Sequence, residues 1–236
     1  MLELPGLLEM RETAAARHAA LLEALRQEQA IAVIRAYTPD GAQWAAEILL
    51  ECGVNAIEIT CTVPDAALVT QNLAAQYPQA LFGAGTLLSI DQAQAMREAG
   101  ARFFVSPVLD EALIRWAHEA GVAYFPAAFT PTEIMRAFSL GAPAVKVFPA
   151  AQAGGAAFLK ALHEPLGELP LIPTGGVTLE DFTEYLDQGA LTVGLGGCLA
   201  PVQAIGERNE GELRKRAQTL IRRRDRYRQQ LALPKR

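Results

Sequence analysis

A lysine set between valines, in Ala144-Val145-Lys146-Val147-Phe148-Pro149, is the residue whose type and setting point most directly to chemistry. The run reads as a short buried strand. Val145 and Val147 share the face that meets helices, so Lys146 turns the other way with Ala144 and Phe148. Burial disfavours the ammonium form, and a lysine held as the free amine attacks ketones to give a protonated imine. The same parity in Ala56-Ile57-Glu58-Ile59-Thr60 sends the isoleucines outward and turns Glu58 and Thr60 inward. A carboxyl facing such an amine is either its structural ion-pair partner or the group that moves protons through imine formation.

Other strand ends carry polar groups suited to an anionic substrate. Ala30-Ile31-Ala32-Val33-Ile34-Arg35 ends in an arginine on the face of Val33, where its fork could hold a carboxylate or a phosphate. Gly83-Ala84-Gly85-Thr86 lets backbone approach closely and offers the Thr86 hydroxyl, and Ser106-Pro107 ends another strand in a rigid turn. Two glycine pairs, in Thr174-Gly175-Gly176 and Gly194-Leu195-Gly196-Gly197, expose backbone N–H groups of the kind that cradle phosphate. The N-terminus of a helix following each pair would add favourable partial charge.

These residues meet only if their strands lie side by side. Eight strand candidates alternate with helical patterns: 30–35, 56–60, 81–84, 103–106, 123–126, 144–148, 169–172 and 191–195. Helix starts are read at Thr38-Pro39-Asp40, Val63-Pro64-Asp65, Ser89-Ile90-Asp91, Thr130-Pro131-Thr132-Glu133 and Thr178-Leu179-Glu180-Asp181. Gly53, Gly100, Gly121, Gly141 and Gly189 close the helices. The pattern predicts an α/β chain folded as a (β/α)8 TIM barrel, a single domain over 1–236, with its active site at the carboxyl ends of the strands. An open doubly wound sheet would want a glycine-rich loop after its first strand, where Arg35-Ala36-Tyr37-Thr38-Pro39 stands instead. Residues 1–28 are expected to form an extra N-terminal helix, with Leu21, Leu22 and Leu25 capping the barrel bottom. Residues 207–236 are expected to form a basic C-terminal helix and tail.

Composition narrows the function classes. The chain has 236 residues, 51% hydrophobic and 20% charged, enough for one sizeable core. Cys52, Cys61 and Cys198 form no C-x-x-C pair, which predicts neither a disulfide framework nor a thiolate metal site and fits a reducing cytoplasm. Glu3, Glu9, Arg11, Glu12 and Arg17 interrupt the first twenty residues, against a signal peptide, and no run approaches the length of a membrane helix. The basic C-terminal segment raises the question of a nucleic-acid or membrane arm. Leu213, Ala217, Leu220 and Ile221 recur there at helical spacing, as in a docked helix with a solvated basic face, and the remaining acidic body would repel a phosphate backbone.

In this order and spacing, Ala32-Val33-Ile34-Arg35, Ile57-Glu58-Ile59-Thr60, Gly83-Ala84-Gly85-Thr86, Ser106-Pro107, Lys146-Val147-Phe148-Pro149 and Pro173-Thr174-Gly175-Gly176 make the chain from Gln29 to Leu199 resemble one family. That family is the 2-keto-3-deoxy-6-phosphogluconate (KDPG) aldolases, which include 4-hydroxy-2-oxoglutarate (KHG) aldolases. The resemblance implies a class I aldolase with no metal or cofactor, typically a homotrimer. Lys146 would form the imine, Glu58 would transfer protons, and Thr86 and Pro107 would bind the pyruvoyl end, with Phe148 and Thr174 beside them. Gly175, Gly176, Gly196 and Gly197 would bind phosphate. The products would be pyruvate and an aldehyde, glyceraldehyde 3-phosphate or glyoxylate.

Three positions depart from the family pattern. Thr62 stands where well-known members hold the substrate carboxylate with arginine, which makes Arg35 the candidate for an anionic end. Gly197 replaces a serine whose hydroxyl touches phosphate, a hydrogen bond of roughly 1.5 to 3 kcal/mol, and so favours an unphosphorylated substrate. Phe125-Pro126-Ala127-Ala128-Phe129 has alanine where relatives often have glycine. Two competing readings keep the barrel without an imine: a phosphate-sugar isomerase or synthase, and a non-catalytic barrel that binds an anionic metabolite.

Overall fold

Each short apolar run becomes a strand buried on both faces, as parallel strands covered by helices must be. In the computed structural model, which describes residues 5–232 and side chains from residue 15 onward, the strands are β1 (Ala30–Ile34), β2 (Ala56–Thr60), β3 (Leu81–Gly85), β4 (Phe103–Val105), β5 (Ala123–Phe125), β6 (Ala127–Ala128), β7 (Val145–Val147), β8 (Leu171–Pro173) and β9 (Val193–Leu195). All pair in parallel, in the orders β5-β4-β3-β2-β1-β9 and β6-β7-β8. A bridge between Thr174 and Gly194 links the two sheets on one side. On the other, β5 and β6 flank Pro126, whose carbonyl accepts from the Lys146 N–H at 2.9 Å. The fold is α/β and TIM-barrel-like.

The helices are α1 (Pro5–Glu28), α2 (Pro39–Glu51), α3 (Ala66–Gln76), α4 (Ile90–Glu98), α5 (Glu111–Ala120), α6 (Pro131–Ser139), α7 (Ala150–Ala153), α8 (Ala156–Leu166), α9 (Phe182–Asp187), α10 (Val202–Gly206) and α11 (Glu210–Ala232). Thr38, Ser89 and Thr130 cap their helices as expected, accepting from the N–H groups of Gly41, Gln92 and Glu133. Each such cap contributes about 1 kcal/mol. Two of the expected starts differ. Asp65 sits at φ 51° with no side-chain cap, and Thr178 and Asp181 exchange hydrogen bonds in a turn while α9 begins only at Phe182. The seventh expected strand also shifts, from 169–172 to Leu171–Pro173. Pro170 has no N–H for a ladder and instead offers its carbonyl to the Val145 N–H.

Two apolar layers result. One lies between strands and helices and contains Ile57, Ile59, Val145 and Val147. The other lies inside the strands at their amino ends, where Ile31, Ala56, Leu81, Phe103, Ala123 and Ala144 meet Leu21 and Leu25 of α1. Leu21 and Leu25 of α1 therefore cover this layer at the amino ends of the strands. Leu213, Ala217 and Leu220 bury one stripe of α11, and its polar groups bind neighbouring helix ends. Arg224 pairs with Glu28 at 3.1 Å, Arg228 donates to the Gln27 carbonyl, and the Tyr227 hydroxyl meets Asp187 at 2.9 Å. Cations at helix C-termini complement the macrodipole. Among the described residues no helix is long and apolar enough to cross a membrane. The expected segments 1–4 and 233–236, and the side chains of Glu9, Arg11 and Glu12, lie outside the described residues.

Candidate active site

Strand parity brings the polar residues to one end of the barrel. Lys146 is the register partner of Ala127 on one side and Ile172 on the other, and only 3% of it is exposed. Its Nζ stands over the Phe148 ring, 4.9 Å from the centroid. Glu58, also 3% exposed, leans along β2 toward the strand end, and a glycine makes its seat. A Cβ built on Gly85 would fall 1.8 Å from Glu58 Oε1. Gly83, one inward position earlier, is filled in the same way by the Phe103 ring. The two glycines thus exchange their own side-chain volume for a carboxyl and an aromatic ring from neighbouring strands. Gly85→Ala is expected to push the Glu58 carboxyl out of position and lower kcat roughly 100-fold, with most of the fold retained. Steady-state kinetics alongside a melting curve checks this.

Neither buried group is neutralised by the other. Among the described residues Lys146 and Glu58 form no ion pair, and Glu58 Oε1 has no hydrogen-bond partner. Desolvation dominates both. It lowers the lysine below its ordinary value against the opposing pull of Glu58, and it raises the glutamic acid against the pull of Lys146 and Arg35. Burial therefore favours the free amine and the protonated carboxyl, the forms needed for a nucleophile and a general acid. A structural ion pair would hold both charged and in contact, and among the described residues Lys146 and Glu58 make no such contact.

The remaining expected residues lie at or just beyond the carboxyl ends of β1, β3, β4, β7 and β8. Arg35 follows β1 at the exposed mouth, where its field reaches both Glu58 and Lys146, and its Nη1 lies 3.9 Å from where a Gly196 Cβ would be. Thr86 adopts φ 57°, a left-handed conformation that costs a β-branched residue about 1–3 kcal/mol. Such strain concentrates at functional sites. Pro107 follows β4, two residues past the inward-facing Val105, and is half-buried. Thr174 is buried, donates to the Ile172 carbonyl at 3.4 Å, and fills the space a Gly194 side chain would need. Thr62 hydrogen-bonds Thr60 at 2.7 Å.

The glycine pairs lie beside one another at the ends of β8 and β9. Gly175 and Gly176 have φ of 87° and 80°, and Cβ atoms there would strike Phe148 and Ala151. Among the described residues the N–H groups of Gly176, Gly196 and Gly197 enter no backbone hydrogen bond, while the Gly175 and Gly196 carbonyls are used internally. Gly175 takes part in the bridge between Thr174 and Gly194, so the donors least engaged in the fold are those of Gly176, Gly196 and Gly197. The expected help from following helices is not there, because α9 starts at Phe182 and α10 at Val202, each several residues beyond its glycine pair. Turns intervene at both places.

One wall of the site was not singled out from the sequence as a site residue. Ala127, partner of Lys146 across the β6–β7 pairing, presents its methyl on the same inner face. The signal was the alternation of Phe125 and Ala127, obscured by Pro126 between them. No group of His, Cys, Asp or Glu among the described residues could hold a metal ion. The three cysteines are free and half-buried.

Comparison with known proteins identifies a family. The family model described as KDPG and KHG aldolase matches residues 21–215. A 2-dehydro-3-deoxy-phosphogluconate aldolase of Treponema pallidum is 32% identical over 185 residues, covering 78% of this chain and 88% of that protein. The KHG/KDPG aldolase of Escherichia coli K12 is 34% identical over 161 residues, 68% of this chain and 75% of its own. Among solved structures, the KDPG aldolase of Legionella pneumophila, with pyruvate captured at low pH as a covalent carbinolamine intermediate, superposes with a TM-score of 0.76 at 30% identity. It covers 81% of this chain and 93% of that one.

Proposed function

The chain belongs to the KDPG and KHG aldolase family, and from that premise we propose that Lys146 and Glu58 carry a Schiff-base cleavage of 4-hydroxy-2-oxoacids to pyruvate and an aldehyde. The observation that carries the assignment is the pair itself: a buried lysine and a buried glutamic acid at the same barrel end, unpaired with each other. The Lys146 amine attacks the C2 ketone and gives a carbinolamine, the species trapped with pyruvate in the Legionella neighbour. Glu58 donates the proton with which the C2 hydroxyl leaves as water, and the protonated imine remains. The resulting carboxylate takes the proton of the C4 hydroxyl as the C3–C4 bond breaks, the electron pair passing into the imine as an enamine. The aldehyde leaves, C3 is reprotonated, and water releases pyruvate from Lys146.

Arg35, Thr86, Pro107, Phe148 and Thr174 surround the 2-oxoacid in this reading, with Arg35 as cation for an anionic end of the substrate. The N–H groups of the loops holding Gly175, Gly176, Gly196 and Gly197 take the phosphate of KDPG. Gly197 has open space around its missing side chain and no left-handed φ. Gly197→Ser is therefore expected to fold and to lower KM for KDPG about tenfold by adding one hydrogen bond to phosphate. A KHG titration in parallel tells that gain from a general effect.

The decisive assay couples pyruvate release to lactate dehydrogenase, comparing KDPG with KHG, and adds borohydride in the presence of pyruvate. Pyruvate production and a stable mass increase on the peptide containing Lys146 are expected. Turnover without an adduct on Lys146 refutes the assignment.

Three further readings join the proposal. Counting β5 and β6 as one strand broken at Pro126 makes eight strands around a single-domain (β/α)8 barrel. Exposed Leu88, Val108 and Phe129 follow the neighbouring strands β3, β4 and β6. Such a run of apolar groups suits a subunit contact in a homotrimer, which sedimentation of the intact chain tests. The free thiols suit a reducing cytoplasm.

A further inference from the structure

The two glycine loops have no side chains of their own to hold them in register, and two residues outside the reacting centre tie them. Cys198 directly follows Gly196-Gly197, and its Sγ donates to the carbonyl of Val177, the residue directly after Gly175-Gly176, at 3.3 Å. The Cys198 carbonyl in turn accepts from Arg216 Nη1 of α11 at 2.7 Å. Arg216 is itself held by Glu212, one turn earlier, at 2.7 Å. Burial pushes the Cys198 thiol up to about 11, so the sulfur keeps the proton it donates. A continuous chain of contacts thus runs from the C-terminal helix through the second glycine loop into the first.

We propose that Arg216 and Cys198 are positioning residues that set the spacing of the Gly175-Gly176 and Gly196-Gly197 loops, and that α11 thereby tunes the preference for a phosphorylated over an unphosphorylated 2-oxoacid. The inference rests on the reading of those loops as the phosphate cradle. Glycine backbone is the most costly to order, so N–H donors on two such loops bind a tetrahedral anion well only if something else pre-organises them. The charge-assisted Arg216 bond is suited to that task. Arg216 lies on α11, one residue beyond the 21–215 family match.

The experiment measures kcat and KM for KDPG and for KHG in the wild type, Arg216→Met, Cys198→Ala, Cys198→Ser and, as a control on the same helix, Arg222→Met. Arg222 is exposed and donates to Thr219. Arg216→Met and Cys198→Ala are expected to lower the KDPG-to-KHG ratio of kcat/KM roughly tenfold through KM, short of the hundredfold an ångström of misplacement can cost. Cys198→Ser, which keeps a donor, restores most of the ratio, and Arg222→Met leaves it as in the wild type. Equal losses on both substrates, or an unchanged ratio, overturn the proposal. If Arg216→Met does not fold, the alanine and serine variants of Cys198 still decide it. A wild type that shows no phosphate preference and no competition by inorganic phosphate refutes the cradle reading itself, and the proposal falls with it.

Discussion

Lys146→Met is expected to abolish retro-aldol turnover and the borohydride adduct together, a loss of roughly 10⁴-fold or more in kcat, because the imine is the electron sink for C3–C4 cleavage. Methionine has nearly the length of lysine and suits the apolar surroundings of Ala144, Ala127 and the Phe148 ring, so the barrel is expected to persist. The same substitution should raise stability. Burial lowers the Lys146 pKa from 10.5 in the folded protein, so the wild type's stability relative to the variant is fully present above that value and is lost as pH falls through the lowered one. Melting curves of the two proteins should therefore separate at neutral and acidic pH, with the methionine variant higher, and converge above about 10.5. A variant that is inactive but less stable at neutral pH would assign Lys146 a structural role instead.

Glu58→Gln should separate binding from proton transfer. Turnover is expected to fall by about 10²–10⁴-fold, the usual contribution of a positioned acid–base group, while pyruvate still forms a slower adduct on Lys146. The sign of the stability effect differs in its pH window. Burial raises the Glu58 pKa above 4.5, so its contribution is fully present below that value and is lost as pH rises through the folded one. Glutamine removes that loss, and the variant should gain on the wild type toward alkaline pH. In the wild type kcat/KM is expected to be bell-shaped, with limbs that belong to the coupled pair. Glu58→Gln should delete one limb. Retention of both would move the acid–base role to another group. Stabilising substitutions at both positions would show the stability that the site gives up for reactivity.

Much of this site was legible in one dimension because a strand has a period of two. That period alone turns Lys146 away from Val145 and Val147, Glu58 away from Ile57 and Ile59, and Arg35 onto the face of Val33, and the structure places all three at one barrel end. Local turn chemistry was equally legible where the capping atoms are close in sequence, as at Thr130 and Glu133. It misled at Thr178 and Asp181, whose reciprocal hydrogen bonds are made by a turn as readily as by a helix start.

What could be read from the sequence alone was therefore the identity and facing of the proposed reactive residues, since both follow from backbone stereochemistry within a few positions. Their electrostatic state was decided by the tertiary structure. That Glu58 lies in the space left by Gly85, that Ala127 stands beside Lys146, that the two titratable groups stay unpaired, and that Cys198 and Arg216 tie the glycine loops all depend on register between segments far apart in the chain. Such contacts are fixed only when strands close around a common core and water is excluded. At that point desolvation, which no local pattern encodes, lowers the pKa of the lysine and raises that of the glutamate.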